Sequence, residues 1–255
     1  MCNFLRFYKI FSIYTPASSM GYLHYKKHYR HSQYPDQGLF ILRTIIFGDI
    51  HGCVHEWQDL MKKASVSRED RLVTIGDLVC KGPFPKETLD LALSLPNLQC
   101  ILGNYEWYLL KIWEGKTCPW PGKIHARTTY EELGRDADKY MTFISTWPLY
   151  LETPEYLAVH AGIKPGIPLD RQQPEDLLHL RTLEPDGSPW YESYTEEKLI
   201  IHGHWARQGL NVRANVIGLD SGCVYGRKLS ALILPERKIV TAPARKVYQP
   251  IRHPH

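Results

Sequence analysis

Five apolar runs of strand length each break off at a glycine beside a residue able to bind a metal. Ile41–Phe47 runs into Gly48-Asp49-Ile50-His51-Gly52, and Arg71–Ile75 into Gly76-Asp77. Leu98–Leu102 runs into Gly103-Asn104, Tyr156–Val159 into His160-Ala161-Gly162, and Leu199–Ile201 into His202-Gly203-His204. Unbroken apolar runs of this length suit strands buried on both faces. Between the early runs, Val54, Trp57, Leu60, Met61 and Ala64 recur at helical spacing, as do Leu89, Ala92, Leu93 and Leu95 after Pro83 and Pro85. Strand, loop, helix, strand predicts a layered α/β domain. With 255 residues, 44% of them apolar, the chain can build a core without disulfide staples.

The domain is expected to span 39–245. A helical insert is expected over about 116–147, with its main helix near Thr129–Ser145. Val212–Leu219, Leu229–Leu234 and Ile239–Ala242 read as antiparallel strands, and 246–255 as a tail. Residues 1–38 show no period and read as a flexible arm. Tyr25–His31 is an aromatic-basic cluster open to nucleic acid or anionic lipid, and Met20 is an alternative start. No run approaches the roughly 18 apolar residues of a membrane span. The net charge of +4 is too small to imply nucleic-acid binding and agrees with an anionic substrate. Cys2, Cys53, Cys80, Cys100, Cys118 and Cys223 are scattered, as in a reduced cytoplasmic protein.

Residues just past the carboxyl ends of strands in an α/β sheet gather in one crevice. Asp49, His51, Asp77, Asn104, His160 and His204 would meet there. Asp49 and His51, two apart in extended chain, can point to the same side. Two carboxylates, an amide oxygen and three imidazoles form a mixed N/O set, suited to Mn²⁺, Fe or Zn²⁺ and less to Mg²⁺. Six ligands exceed the need of one ion with an open position. Sharing a carboxylate, Asp77 foremost, gives two ions, an arrangement that acidifies a water and neutralises phosphoryl oxygens. Metal-assisted hydrolysis of a phosphate ester or anhydride is the reaction this chemistry points to.

The ordered series Gly48–Gly52, Gly76-Asp77-Leu78-Val79-Cys80-Lys81-Gly82-Pro83, Gly103-Asn104-Tyr105-Glu106, His160-Ala161-Gly162 and Gly203-His204-Trp205 resembles the calcineurin-like metallophosphoesterases. Within them it is most similar to the phosphoprotein phosphatase group and its bacterial diadenosine tetraphosphatase-like branch, including Leu219–Gly226. The resemblance covers roughly 41–235. It implies a four-layer β-sandwich flanked by helices and a dinuclear site served by two divalent ions, Mn²⁺ foremost, with Fe, Zn²⁺, Co²⁺ and Mg²⁺ as alternatives. It implies that Asp49, His51 and Asp77 hold one ion, and Asp77, Asn104, His160 and His204 the other. Hydroxide held between the ions would attack phosphorus in line. Lys81 stands where the family often has a phosphate-gripping arginine, Arg181 resembles a second one, and Tyr225 and Cys80 are expected at the substrate pocket.

Two positions depart from the family. Tyr105 replaces the histidine that usually protonates the leaving group, and Cys80 replaces the aspartate that often pairs with it. A serine alkoxide needs that proton, whereas a nucleotide phosphate leaving from an anhydride hardly does. General-acid help is worth about 10²–10⁴-fold, so this change bears on substrate class. The branch resemblance favours dinucleoside polyphosphates. The rivals are a protein phosphatase, a capped-RNA hydrolase and a metal-binding module whose catalysis has decayed. His202 is expected to be a strand residue and His55 and His125 surface histidines.

Overall fold

In the computed structural model, residues 42–116 and 123–250 are described. The arm at 1–38, the cluster at 25–31, Met20, Cys2, Cys118 and Trp120 lie outside them. Two five-stranded mixed sheets make up the framework. The first holds β1 (Thr44–Phe47), β2 (Arg71–Thr74), β3 (Leu98–Cys100), β9 (Lys228–Leu234) and β10 (Lys238–Pro243), in the order β10-β9-β1-β2-β3. The second holds β4 (Tyr150–Glu152), β5 (Tyr156–Val159), β6 (Leu199–His202), β7 (Asn211–Val212) and β8 (Val216–Gly218), in the order β4-β5-β6-β8-β7.

β1 shows why its run is apolar throughout. Its neighbours are β2, parallel, and β9, antiparallel, with Ile46 opposite both Val73 and Leu232. Its side chains alternate between two cores. Ile45 and Phe47 pack with Trp57 and Leu60 of helix α1 (Val54–Lys63), while Ile46 packs between the sheets with Val73, Ala158 and Ile201. Leu157, Val159, Ile200 and Val216, on the outer face of the second sheet, meet Trp190 and Tyr191. Helices, sheet, sheet and an outer layer of loops with the short helix Pro174–His179 therefore give four layers, as the resemblance implies. Burying each such side chain is worth roughly 1.5–3 kcal/mol.

Helix α2 (Pro85–Ser94) carries proline in its first turn, where a missing N–H costs nothing. Helix α3 (Asn104–Trp113) follows β3 and has no counterpart in the sequence reading. The insert holds two helices, α4 (Lys123–Leu133) and α5 (Ala137–Ile144), joined by a 3-10 turn, in place of one helix at 129–145. Of the late strands, β9 and β10 pair antiparallel as expected, but β8 runs parallel to β6 and only its pairing with β7 is antiparallel. β6 and β8 are joined by more than a tight turn, so parallel pairing is open to them. Residues 246–250 of the expected tail fold back on the domain: the Tyr248 N–H donates to the Val224 carbonyl at 3.0 Å.

Candidate metal centre

The strand ends turn sharply, and the turns are held by backbone hydrogen bonds. Ile50 and His51 N–H groups both donate to the Asp77 carbonyl, at 3.1 and 2.8 Å, and Gly52 N–H to that of Leu78 at 2.8 Å. Seven described non-glycine residues have positive φ, and five are here: His51, Asp77, Cys80, Lys81 and His204. Such backbone costs about 1–3 kcal/mol per residue and persists where its surroundings over-determine it, often at functional sites. Gly203 allows the two sheets to meet, since a Cβ there would collide with the Asp49 carboxylate.

All six expected ligands converge, each nearly or fully buried except the half-buried His204. Asp49, His51 and Asp77 form one group of ligand atoms, and Asp77, His160 and His204 another, with Asp77 common to both. Asn104 joins the second, its Oδ1 lying 2.9 Å from His160 Nε2 and 3.1 Å from His204 Nδ1. The tautomers follow from the carbonyls behind the rings. His160 Nδ1 faces the Ile75 carbonyl at 2.9 Å and His51 Nδ1 that of Val79 at 3.3 Å. A carbonyl only accepts, so both Nδ1 atoms carry the proton and both Nε2 atoms present lone pairs. Those lone pairs face Asp77 oxygens at 3.5 Å on either side. Asp49 Oδ1 is buried without a hydrogen-bond partner. At His160 an acceptor faces the Asp77 carboxylate, with an orphaned Asp49 oxygen in the same cluster, while at His51 the Lys81 ammonium already lies 3.1 Å from Nε2; this is what a cation site presents.

Burial sets the protonation states. It pushes the His160 imidazole down to about 3 and those of His51 and His204 well below the usual range, leaving neutral, ligand-ready rings. It pushes Asp49 and Asp77 up; Asp220 and Asp77 add to the rise at Asp49, while Lys81 and the Tyr105 N–H oppose it at Asp77.

At the rim, Lys81 Nζ stands 3.1 Å from His51 Nε2, 4.4 Å above the Tyr105 ring and 5.4 Å from that of Tyr225. Its burial would lower its pKa, but Tyr105, Tyr225 and Asp77 outweigh that, so it stays a cation. Arg181 is exposed and donates to the His204 carbonyl at 3.3 Å. The Tyr105 ring lies edge-on to His51 at 5.5 Å, and burial pushes its phenol up to about 12. Cys80 does not line the pocket: it is fully buried and hydrogen-bonds Thr129 of α4, because the positive φ at Cys80 and Lys81 turns the lysine outward and the thiol into the core. His125 is only half exposed, and its ring comes 6.4 Å from that of Tyr105. His202 is a buried strand residue, stacked on Tyr191. His55 is half-buried against Phe84.

Three contributors escaped the sequence reading. Glu106, fully buried, accepts from the N–H groups of Asp77 (2.8 Å), Gly103 (3.0 Å) and Val79 (3.2 Å), tying the second motif to the third. Asp220 is buried close enough to raise Asp49, and its place after β8 and Gly218 repeats the strand-end signal. His179 stacks on Tyr108 and reaches the His204 ring at 6.0 Å, with no sequence sign.

The family model of calcineurin-like phosphoesterases matches residues 42–234. A symmetrical bis(5'-nucleosyl)-tetraphosphatase of Aromatoleum aromaticum is 28% identical, over 78% of this chain and 96% of that protein. The asymmetrical bis(5'-nucleosyl)-tetraphosphatase PrpE of Anoxybacillus flavithermus is 29% identical, over 80% and 95%. A solved structure assigned as a diadenosine tetraphosphatase superposes with a TM-score of 0.72 at 30% identity, covering 82% of this chain and 96% of that one.

Proposed function

The chain belongs to the calcineurin-like phosphoesterase family, hydrolases of phosphate ester or anhydride bonds, and from that premise we propose that it cleaves dinucleoside polyphosphates at an anhydride. The observation that carries the substrate class is Tyr105. Where leaving-group protonation would be served by an imidazole, this chain offers a buried phenol pushed up to about 12. Such a phenol stays protonated across the neutral range but is a weak donor, which suits a leaving group of low basicity. The names of the relatives point the same way.

Asp49, His51 and Asp77 would hold one divalent ion and Asp77, Asn104, His160 and His204 a second, with Mn²⁺ a good match to the mixed N/O donors. Bound there, the ions supply Lewis acidity and a water acidified to neutral pH. The protein's own part is orientation and charge. Lys81 and Arg181 bring two cations to the mouth for the nonbridging oxygens, Tyr225 flanks Lys81, and Glu106 fixes the turns beneath. Retention of every ligand argues against a decayed module. No described helix is long and apolar enough to cross a membrane, and the four described cysteines, free and buried, support a reducing, cytoplasmic setting.

The test is product release by metal-stripped protein reconstituted with Mn²⁺, on diadenosine tetraphosphate, p-nitrophenyl phosphate and a phosphoserine peptide in parallel. The dinucleotide is expected to turn over fastest, and the products (ADP alone, or ATP with AMP) identify the bond cut. A phosphoserine peptide cleaved as fast would overturn the reading.

A further inference from the structure

A second group of donors sits outside the Asp77 site. Cys53 is the residue before α1, Glu56 lies in the first turn of that helix, and Cys223 opens the 3-10 turn Cys223–Tyr225. Two sulfurs and a carboxylate oxygen from these residues all lie within 4.8 Å of one another. Cys53 and Glu56 are fully buried and Cys223 is 2% exposed. Glu56 Oε1 accepts from the Arg245 backbone N–H at 2.9 Å and the Tyr248 hydroxyl at 2.7 Å. Its Oε2 is buried and has no partner. The nearby Arg245 guanidinium is spent on Asp59, at 2.9 Å, and no described lysine or arginine forms an ion pair with Glu56. A buried carboxylate oxygen is costly to leave without a donor or a cation. Two thiols and a carboxylate are a donor set for a borderline-soft divalent ion, zinc above all.

We propose that Cys53, Glu56 and Cys223 bind one zinc-like divalent cation, at a third site separate from the pair that shares Asp77. Binding forms two sulfur–metal bonds and one oxygen–metal bond, releases both thiol protons to solvent, and moves no electrons. Bound there, the ion joins three segments: the start of α1, two residues beyond His51; the turn carrying Tyr225; and the stretch from Arg245 to Tyr248. The site is independent of the substrate proposed above.

Cobalt as the probe separates this site from the other, whose ligands are all nitrogen and oxygen. Titrating full-length, metal-stripped protein with Co²⁺ is expected to produce a near-ultraviolet thiolate-to-cobalt charge-transfer band that saturates at one ion per chain. The band should vanish in Cys223→Ser and Cys53→Ser and persist in Asp77→Asn. If the serine variants fail to fold, Glu56→Gln keeps both sulfurs and is expected to weaken the cobalt affinity read from the band at least tenfold. No band in the parent protein, a band that survives Cys223→Ser, an unchanged affinity in Glu56→Gln, or a Cys53–Cys223 disulfide in the freshly isolated protein would overturn the proposal.

Discussion

The two sheets contribute different chemistry to one site, with Asp220 beyond β8 the carboxylate that the second sheet adds. The ends of β1, β2 and β3 deliver both carboxylates, the amide and one imidazole, whereas β5 and β6 deliver only imidazoles. Burial acts on both halves in the same way, favouring the uncharged form, yet the result differs. His160 and His204 are left as lone-pair donors ready for a cation. Asp49 and Asp77 are pushed toward the protonated form, which must lose a proton before it binds one. One half is ready-made, and the other is completed by its ion. The backbone donors to Glu106 and four of the five strained residues of the site lie on the carboxylate side.

The largest expected effect comes from removing the residue common to both ligand groups. Asp77→Asn should lower turnover by roughly 10³-fold, in line with the loss of an electrostatic element of the reaction, and metal analysis should show both catalytic ions weakened. Loss of only one ion would mean that the halves bind independently. Next is the brace: Glu106→Gln sets an amide NH₂ against backbone N–H groups and should cost about 10–100-fold in metal affinity or activity, as outer partners of metal ligands do. An unaffected variant would show that the turns hold themselves. Tyr105→His should raise activity on a phosphoserine peptide about tenfold more than on diadenosine tetraphosphate, and equal gains would mean that protonation is not what the tyrosine limits.

The smallest effect tests the histidine half through pH. His202, buried behind the ligands, has its imidazole held down to about 4 by burial, against an ordinary value near ~6.5. The folded state therefore binds fewer protons than the unfolded one below neutrality. The stability this contributes is full above about pH 6.5 and is lost as pH falls toward 4. Thermal melts of metal-free protein should show His202→Gln losing a few degrees less than the parent between pH 7 and 5. Parallel melting curves would assign the acid limb to other groups.

The convergence of the six proposed ligands was legible because each stands where an apolar run meets a glycine, a local signal that needs no knowledge of the partner strand. Glu106 was not legible as a brace, since its three N–H partners come from two different turns. Helix α3 was hidden by its composition: Tyr105, Tyr108, Leu109 and Leu110 bury most of its circumference, so no clear apolar face shows. His125 looked like a surface residue because only the packing of α4 on α3 brings it to Tyr105. The direction of β8 could not be read because a two-residue β7 gives no pattern to count.

The strand order has a consequence for the timing of synthesis. β1 is the first described strand, yet its second neighbour is β9, whose residues pair with it across nearly 190 positions. The first two motifs can therefore leave the ribosome early without a finished sheet beneath them. Pairings this distant in sequence carry a high entropic cost and form late. A nascent chain ending between His204 and Lys228 would carry all six proposed ligands and still lack β9, whose Ser230 carbonyl accepts from the Gly48 N–H beside Asp49. Such fragments are expected to hold metal poorly and turn over little.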